Sequence, residues 1–189
     1  MGTKGVILIV EDLLEEKIGK FKQIIEIDGF TTKVTSTYKD SEKELRKLIS
    51  SNQLDGIILD FSFPYDANDK SVVINDMPCG VKLLKDFEFK ISLQGIPVVI
   101  NTTGDNEYKR KYLESINHKN FPMYDVNNAL TSLTNPSIEM VKDILKMFNV
   151  RYEKRNIDKS IKRDKSLKTG TSIIQGPDGN YHYSKYDGD

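Results

Sequence analysis

Three short apolar runs, at residues 6–10, 56–59 and 97–100, carry no alternation of polar and apolar positions, which is how strands covered on both faces read. A sheet of such strands needs a layer above it and another below, and the sequence between them supplies amphipathic helices. Leu14, Ile18, Phe21 and Ile25 make one apolar stripe that ends at Asp28-Gly29. "SEKE", from Ser41, reads as a capping box opening a second helix that buries Leu45, Leu48 and Ile49. Val81, Leu84 and Phe87 or Glu88 mark a third, and Tyr108, Tyr112 and Ile116 a fourth. Asn135-Pro136 predicts the opening of the last, burying Ile138, Val141, Ile144, Leu145 and Phe148. Weaker strands fit at 30–36 and 120–124. Strand and helix thus alternate through residues 1–150, which predicts a doubly wound α/β domain with a parallel sheet and right-handed crossovers.

Two stretches break that rhythm. Residues 65–79, "YDANDKSVVINDMPC", form a long loop with Cys79 as an ordinary thiol at its end, and loops of that length in compact domains tend to be functional. Residues 151–168 hold eight basic and three acidic side chains without Gly or Pro, and read as a prolonged last helix or a charged linker. After them "TSIIQGPDGNYHYS" has two β-prone runs about a turn sequence, a hairpin signature. The expected organisation is a domain at 1–150 and an extension at 151–189.

Charge narrows the partners. Basic and acidic residues are equal at 28 each, so no overall field draws the chain to nucleic acid or to an anionic membrane, and the basic tail lacks a helix-turn-helix pattern. One cysteine and two histidines exclude an intrachain disulfide and a Cys/His zinc site. No stretch approaches the length of a membrane helix and "VILIV" is short for a signal-peptide core, so the expected setting is cytosolic.

Ligands of open parallel sheets bind beyond the carboxyl ends of the strands. The first strand runs out into Glu11-Asp12, the third into Asp60 and the fourth, through "NTTG", into Thr102. Three carboxylates at one edge repel one another and lose hydration, so they call for a divalent cation. All-oxygen ligation with room for water suits Mg²⁺.

With Pro64 four residues after Asp60 and "GVKLL" from Gly80, these residues resemble the receiver domain of bacterial response regulators. The resemblance implies a flavodoxin-like sheet in the order 2-1-3-4-5. It further implies Asp60 as phosphoacceptor, and Mg²⁺ held by Glu11, Asp12, Asp60 and the backbone carbonyl of Ser62. Thr102 would contact the phosphoryl group and Phe121 would be the aromatic switch. One departure stands against it: where receivers place a lysine at the end of strand five, this chain has Tyr124-Asp125. Lys119 comes too early to replace it, whereas Lys70 and Lys82 are placed to reach in.

Three functions follow as expectations. The first is a signalling or adaptor protein switched by phosphorylation of Asp60, with a histidine kinase or phosphotransfer protein upstream and a protein partner downstream. The second is a pseudo-receiver that binds partners with Tyr124 and the 65–79 loop over the old pocket. The third, from another class, is a Mg²⁺-dependent phosphohydrolase, against which the absence of an Asp-x-Asp pair in "LDFSF" counts. Whether the tail forms a homodimer stays open.

Overall fold

A computed structural model describes residues 3–12, 15–102, 106–114, 116, 122–126, 136–166, 171–175 and 181–185, with side chains left aside at 15–17, 106, 108–109 and beyond 160. Leu14, Phe121 and Asn135 lie outside the described residues. In chain order the elements are β1 (Val6–Val10), α1 (Glu15–Ile27), β2 (Thr31–Thr35), α2 (Tyr38–Ser50), β3 (Leu54–Leu59), β4 (Val73–Ile74), β5 (Met77–Pro78), α3 (Cys79–Gln94), β6 (Val98–Ile100), α4 (Asn106–Leu113), β7 (Met123–Asp125), α5 (Ile138–Ser166), β8 (Thr171–Gln175) and β9 (Tyr181–Lys185).

Five of the strands pair in parallel in the order β2-β1-β3-β6-β7. With the small β4-β5 hairpin set aside, this is the expected 2-1-3-4-5 order. Successive side chains of a strand point to opposite faces, and the core divides accordingly. Leu8, Val10, Ile57, Leu59, Val98 and Ile100 pack with α2 and α3, while Ile7, Ile9, Ile58 and Val99 pack with α1 and α5. The central strands are buried along their length, which is why they read as unbroken apolar runs. Gly56 sits where Phe148 of α5 packs on β3: a Cβ there would come within 2.2 Å of the Phe148 ring. A side chain at this position would lift α5 from the sheet.

Both predicted helix starts are displaced. α2 begins at Tyr38, and its cap is Thr37, whose hydroxyl accepts from the Asp40 N–H at 3.2 Å. Ser41 lies inside the helix, where its hydroxyl donates to the Thr37 carbonyl at 2.6 Å. The sequence Thr37-x-x-Asp40 provides the same capping chemistry one turn earlier than "SEKE", so the earlier start satisfies the orphan N–H groups first. In α5 the N–H of Met140 donates to the Ser137 hydroxyl at 3.2 Å, so Ser137 does the capping expected of Asn135. One consequence is that Ile138, the first helical residue, is 74% exposed rather than buried.

The stretch at 65–79 is not a featureless loop. Asn75 and Asp76, at φ 51° and 62°, turn the chain between β4 and β5, and Asn and Asp are the non-glycine residues that best tolerate this backbone region. The Tyr65 ring stacks on Tyr38 of α2 at 5.7 Å, and Lys39 pairs with Asp66 at 2.6 Å. Cys79 is fully buried as the first residue of α3, its thiol donating to the Ser71 carbonyl at 3.8 Å, and burial pushes its pKa up.

Contacts divide the chain into two units, one ending at Tyr152 and the other beginning at Glu153. α5 runs unbroken for 29 residues through that point. The second unit holds the end of this helix and the antiparallel β8-β9 hairpin.

Candidate functional site at the carboxyl edge of the sheet

Register brings the site together. Val10 opposes Leu59 and Leu59 opposes Ile100, so the residues that follow them, Glu11, Asp60 and Asn101, leave the sheet level with one another. The sheet's hydrogen bonding continues one residue beyond the strands: Glu11 N–H donates to Thr35 at 3.0 Å, Asp60 N–H to Val10 at 2.9 Å and Asn101 N–H to Leu59 at 2.8 Å, each to the carbonyl oxygen. The acidic residues therefore stand on rigid backbone.

Carboxylate oxygens of Glu11, Asp12 and Asp60 all lie within 4.8 Å of one another. Glu11 is buried, Asp60 is half-buried and Asp12 is exposed, so the cluster opens to solvent on the Asp12 side. Asp60 accepts hydrogen bonds from the Ser62 N–H, the Thr102 hydroxyl and the Phe61 N–H, the last at 2.6 Å to Oδ1. Burial nevertheless pushes its carboxyl up to about 6 from 3.8, with the Asp12 charge adding to the shift. Desolvation outweighs three donors.

The donor set fits a small hard cation. Three carboxylates from two strand ends can each give one oxygen, the Asp12 side leaves room for water, and Mg²⁺ favours few protein ligands with several waters kept. Among the described residues this is the one such group of acids.

The third helix is fitted closely to Asp60. Gly80 donates its N–H to the Phe61 carbonyl at 3.0 Å, and a Cβ on Gly80 would lie 2.1 Å from the Asp60 carbonyl oxygen. The glycine of "GVKLL" is thus a point of backbone contact between α3 and the end of β3.

Neither of the two lysines expected to reach in is committed to the site among the described residues. Lys82 is held by Asp86 one turn along α3, and Lys70 is exposed. Tyr124 opposes Val99 within β7 and its side chain is half-buried against the α1 and α5 face. Asp125 opposes Ile100, and Val126, the next residue, is buried with its N–H donating to the Ile100 carbonyl at 2.9 Å. Whichever residue stands level with Thr102, no Lys or Arg occurs between Lys119 and Lys142.

Sequence reasoning passed over Asn101 as a strand end. Its Nδ2 donates to Glu11 Oε2 at 2.9 Å, and it is 3% exposed. The signal was present: an amide directly after the buried run "PVVI" has to find a partner inside the protein.

No family model matches the chain, and no curated protein sequence matches it. Solved structures do. A response regulator receiver domain protein from Clostridium thermocellum is 19% identical, with 81% of this chain and 98% of that one covered at a TM-score of 0.50. The receiver domain of Francisella response regulator 1452 is 23% identical over 79% and 98% at 0.45. A CheY-like receiver domain protein from Methanospirillum hungatei is 17% identical over 82% and 98% at 0.47. Together with the strand order, the Clostridium match shows the fold: this chain has the architecture of a response-regulator receiver domain. Among the described residues no helix is long and apolar enough to cross a membrane.

Proposed function

We propose that the chain is a receiver-like signalling protein switched by Mg²⁺-dependent phosphorylation of Asp60. The observation that carries this reading is the convergence of Glu11, Asp12 and Asp60, with the Thr102 hydroxyl already bonded to the Asp60 carboxylate. An aspartate carboxylate is a competent nucleophile toward a phosphoryl group. The Phe61 N–H fixes Oδ1, which orients the carboxylate on the end of β3. A carboxylate oxygen forms the bond to phosphorus as the donor's bond to the same phosphorus breaks, and the donor leaves with the electron pair. Glu11, Asp12, Asp60 and the Ser62 carbonyl would hold the cation, which when bound supplies positive charge to the phosphoryl oxygens and aligns the group for in-line attack.

The donor of the phosphoryl group would be a histidine kinase or phosphotransfer protein. Thr102 would then exchange its bond to Asp60 for one to a phosphoryl oxygen, with Phe121 as the responding aromatic. A local charge event of this kind biases a two-state surface that a downstream protein reads.

The absence of Lys and Arg between Lys119 and Lys142 favours a second reading, a pseudo-receiver that binds partners without phosphorylation. Intact-mass measurement after incubation with Mg²⁺ and a small phosphodonor separates the two. The phosphorylated switch predicts one added phosphoryl group, lost with chelator and in Asp60→Asn. An unmodified wild type, under conditions that label an ordinary receiver, selects the pseudo-receiver.

A further inference from the structure

We infer that Asn101 is a positioning residue of the cation site, fixing Glu11 through its amide N–H and offering its side-chain carbonyl to water held by the bound cation. This rests on the cation-binding reading above. The level row Glu11, Asp60, Asn101 places Asp60 in the middle, because β3 lies between β1 and β6. Neighbouring strands stand about 4.8 Å apart, so the Asn101 to Glu11 bond of 2.9 Å joins side chains rooted two strands apart. That bond has to pass across β3 at the level of Asp60. Asn101 is accordingly part of the floor of the acidic cluster, and its polar group faces the carboxylates rather than the apolar core.

The other half of the amide is unspent. Asn101 Oδ1 is buried and has no hydrogen-bond partner among the described residues. A buried orphan acceptor is costly and calls for a donor. Carboxylates cannot supply one, since ionised oxygens only accept. Water bound to Mg²⁺ is a strong donor with no accepting role left toward the metal, and Mg²⁺ keeps several such waters. Because Nδ2 and Oδ1 share one planar amide, the orphan oxygen lies one hydrogen-bond step from the cluster. The two halves of Asn101 thus match the two needs of a carboxylate-water cation site: a donor to orient the ligand and an acceptor for the water.

The amide also bears on the missing lysine. A neutral donor orients Glu11 without cancelling any of the negative charge, so the cluster keeps its full attraction for a divalent cation. An ammonium at the same place would compete with the metal.

Calorimetric titration of wild type, Asn101→Leu and Asn101→Asp with MgCl₂ tests the inference, alongside urea unfolding of each in chelator. Outer-shell partners typically contribute 10–100-fold to metal affinity. The expected result is a Mg²⁺ affinity lowered roughly 10–100-fold in Asn101→Leu. Its metal-free stability should change little, because losing the donor to buried Glu11 is offset by removing an unsatisfied carbonyl. Asn101→Asp, which adds a carboxylate and loses the donor, should be less stable than wild type in chelator and regain stability as Mg²⁺ is added. Equal Mg²⁺ affinity in wild type and Asn101→Leu, with the leucine variant less stable in chelator, would mark Asn101 as a purely structural residue and overturn the inference while leaving the cation site standing. A wild type that takes up no Mg²⁺ removes the cation-binding reading and this inference with it.

Discussion

Replacing Gly80 with alanine should destabilise the domain by about 3 kcal/mol or more and disable the acidic site in the same step. The added Cβ would lie 2.1 Å from the Asp60 carbonyl oxygen, 2.8 Å from the Phe61 Cα and 3.1 Å from the Asp60 carbonyl carbon. All three are backbone atoms, so no rotamer change relieves the overlap. α3 has to withdraw from the end of β3, or the segment carrying Asp60 has to move. Withdrawal breaks the Gly80 to Phe61 hydrogen bond and opens the core formed by Val81, Leu84 and Phe87. Movement of the segment displaces the proposed nucleophile from Glu11 and Asp12. Urea unfolding reports the first effect as a lower midpoint, and Mg²⁺ titration reports the second. A Gly80→Ala protein with wild-type midpoint and wild-type Mg²⁺ affinity would mean that the close approach of α3 to Asp60 is not real.

Asp60→Asn should have the opposite effect on stability and the same effect on function. The folded protein holds the Asp60 proton to about pH 6, because burial disfavours the carboxylate, whereas an unperturbed carboxyl releases it near 3.8. A raised carboxyl pKa means that the folded state binds more protons than the unfolded state between those values. Stability therefore falls as pH rises from 3.8 to about 6, and the whole penalty is present above that window. At 1.36 kcal/mol per pH unit the penalty is about 3 kcal/mol in metal-free buffer. Asparagine keeps the shape and carries no charge, so Asp60→Asn should exceed wild type by about that amount near neutral pH and converge with it toward pH 4. Asp66, which the hydrogen bond from Lys39 pulls down to about 2, slopes the other way, but both proteins share it and the difference removes it. Denaturation of the two proteins across this range in chelator makes the comparison. Parallel curves with no gain for the variant would mean that Asp60 is not strained. Mg²⁺ should stabilise wild type, by about 2.7 kcal/mol at a hundredfold excess over the dissociation constant, and leave Asp60→Asn nearly unchanged. A group that destabilises its own fold until it is given a cation is what a site selected for chemistry looks like.

The sheet was legible in the sequence because its central strands are covered on both faces. Burial of Ile7 to Val10 and Ile57 to Leu59 leaves no polar side to confuse the pattern. Glu11, Asp12 and Asp60 could be placed together for a related reason: strands that run in parallel and in register end at one edge, so an acid after each apolar run has nowhere else to go. What the sequence left hidden were matters of local competition. Thr37 and Ser41 can both cap α2, and which of them does so depends on where the chain leaves β2. Ser137 and Asn135 pose the same problem at α5. The hairpin at Asn75-Asp76 was missed because its strands are two residues each and carry no periodicity. Asn101 was missed for a deeper reason, since its partner Glu11 lies ninety residues away in sequence and two strands away in space. The buried run before it marks Asn101 as an amide in need of a partner, but no local pattern says which partner it finds. The stretch without Lys or Arg between Lys119 and Lys142, by contrast, is plain in the sequence alone.

The central claim is that the ends of β1 and β3 build one cation site around Asp60. Diffraction from crystals soaked in Mn²⁺, recorded for anomalous scattering, locates the ion without reference to activity. The account predicts a single strong peak within bonding distance of carboxylate oxygens from Glu11, Asp12 and Asp60, with water in its remaining positions. Strong peaks elsewhere, with those three carboxylates well ordered and bare at saturating Mn²⁺, would contradict it.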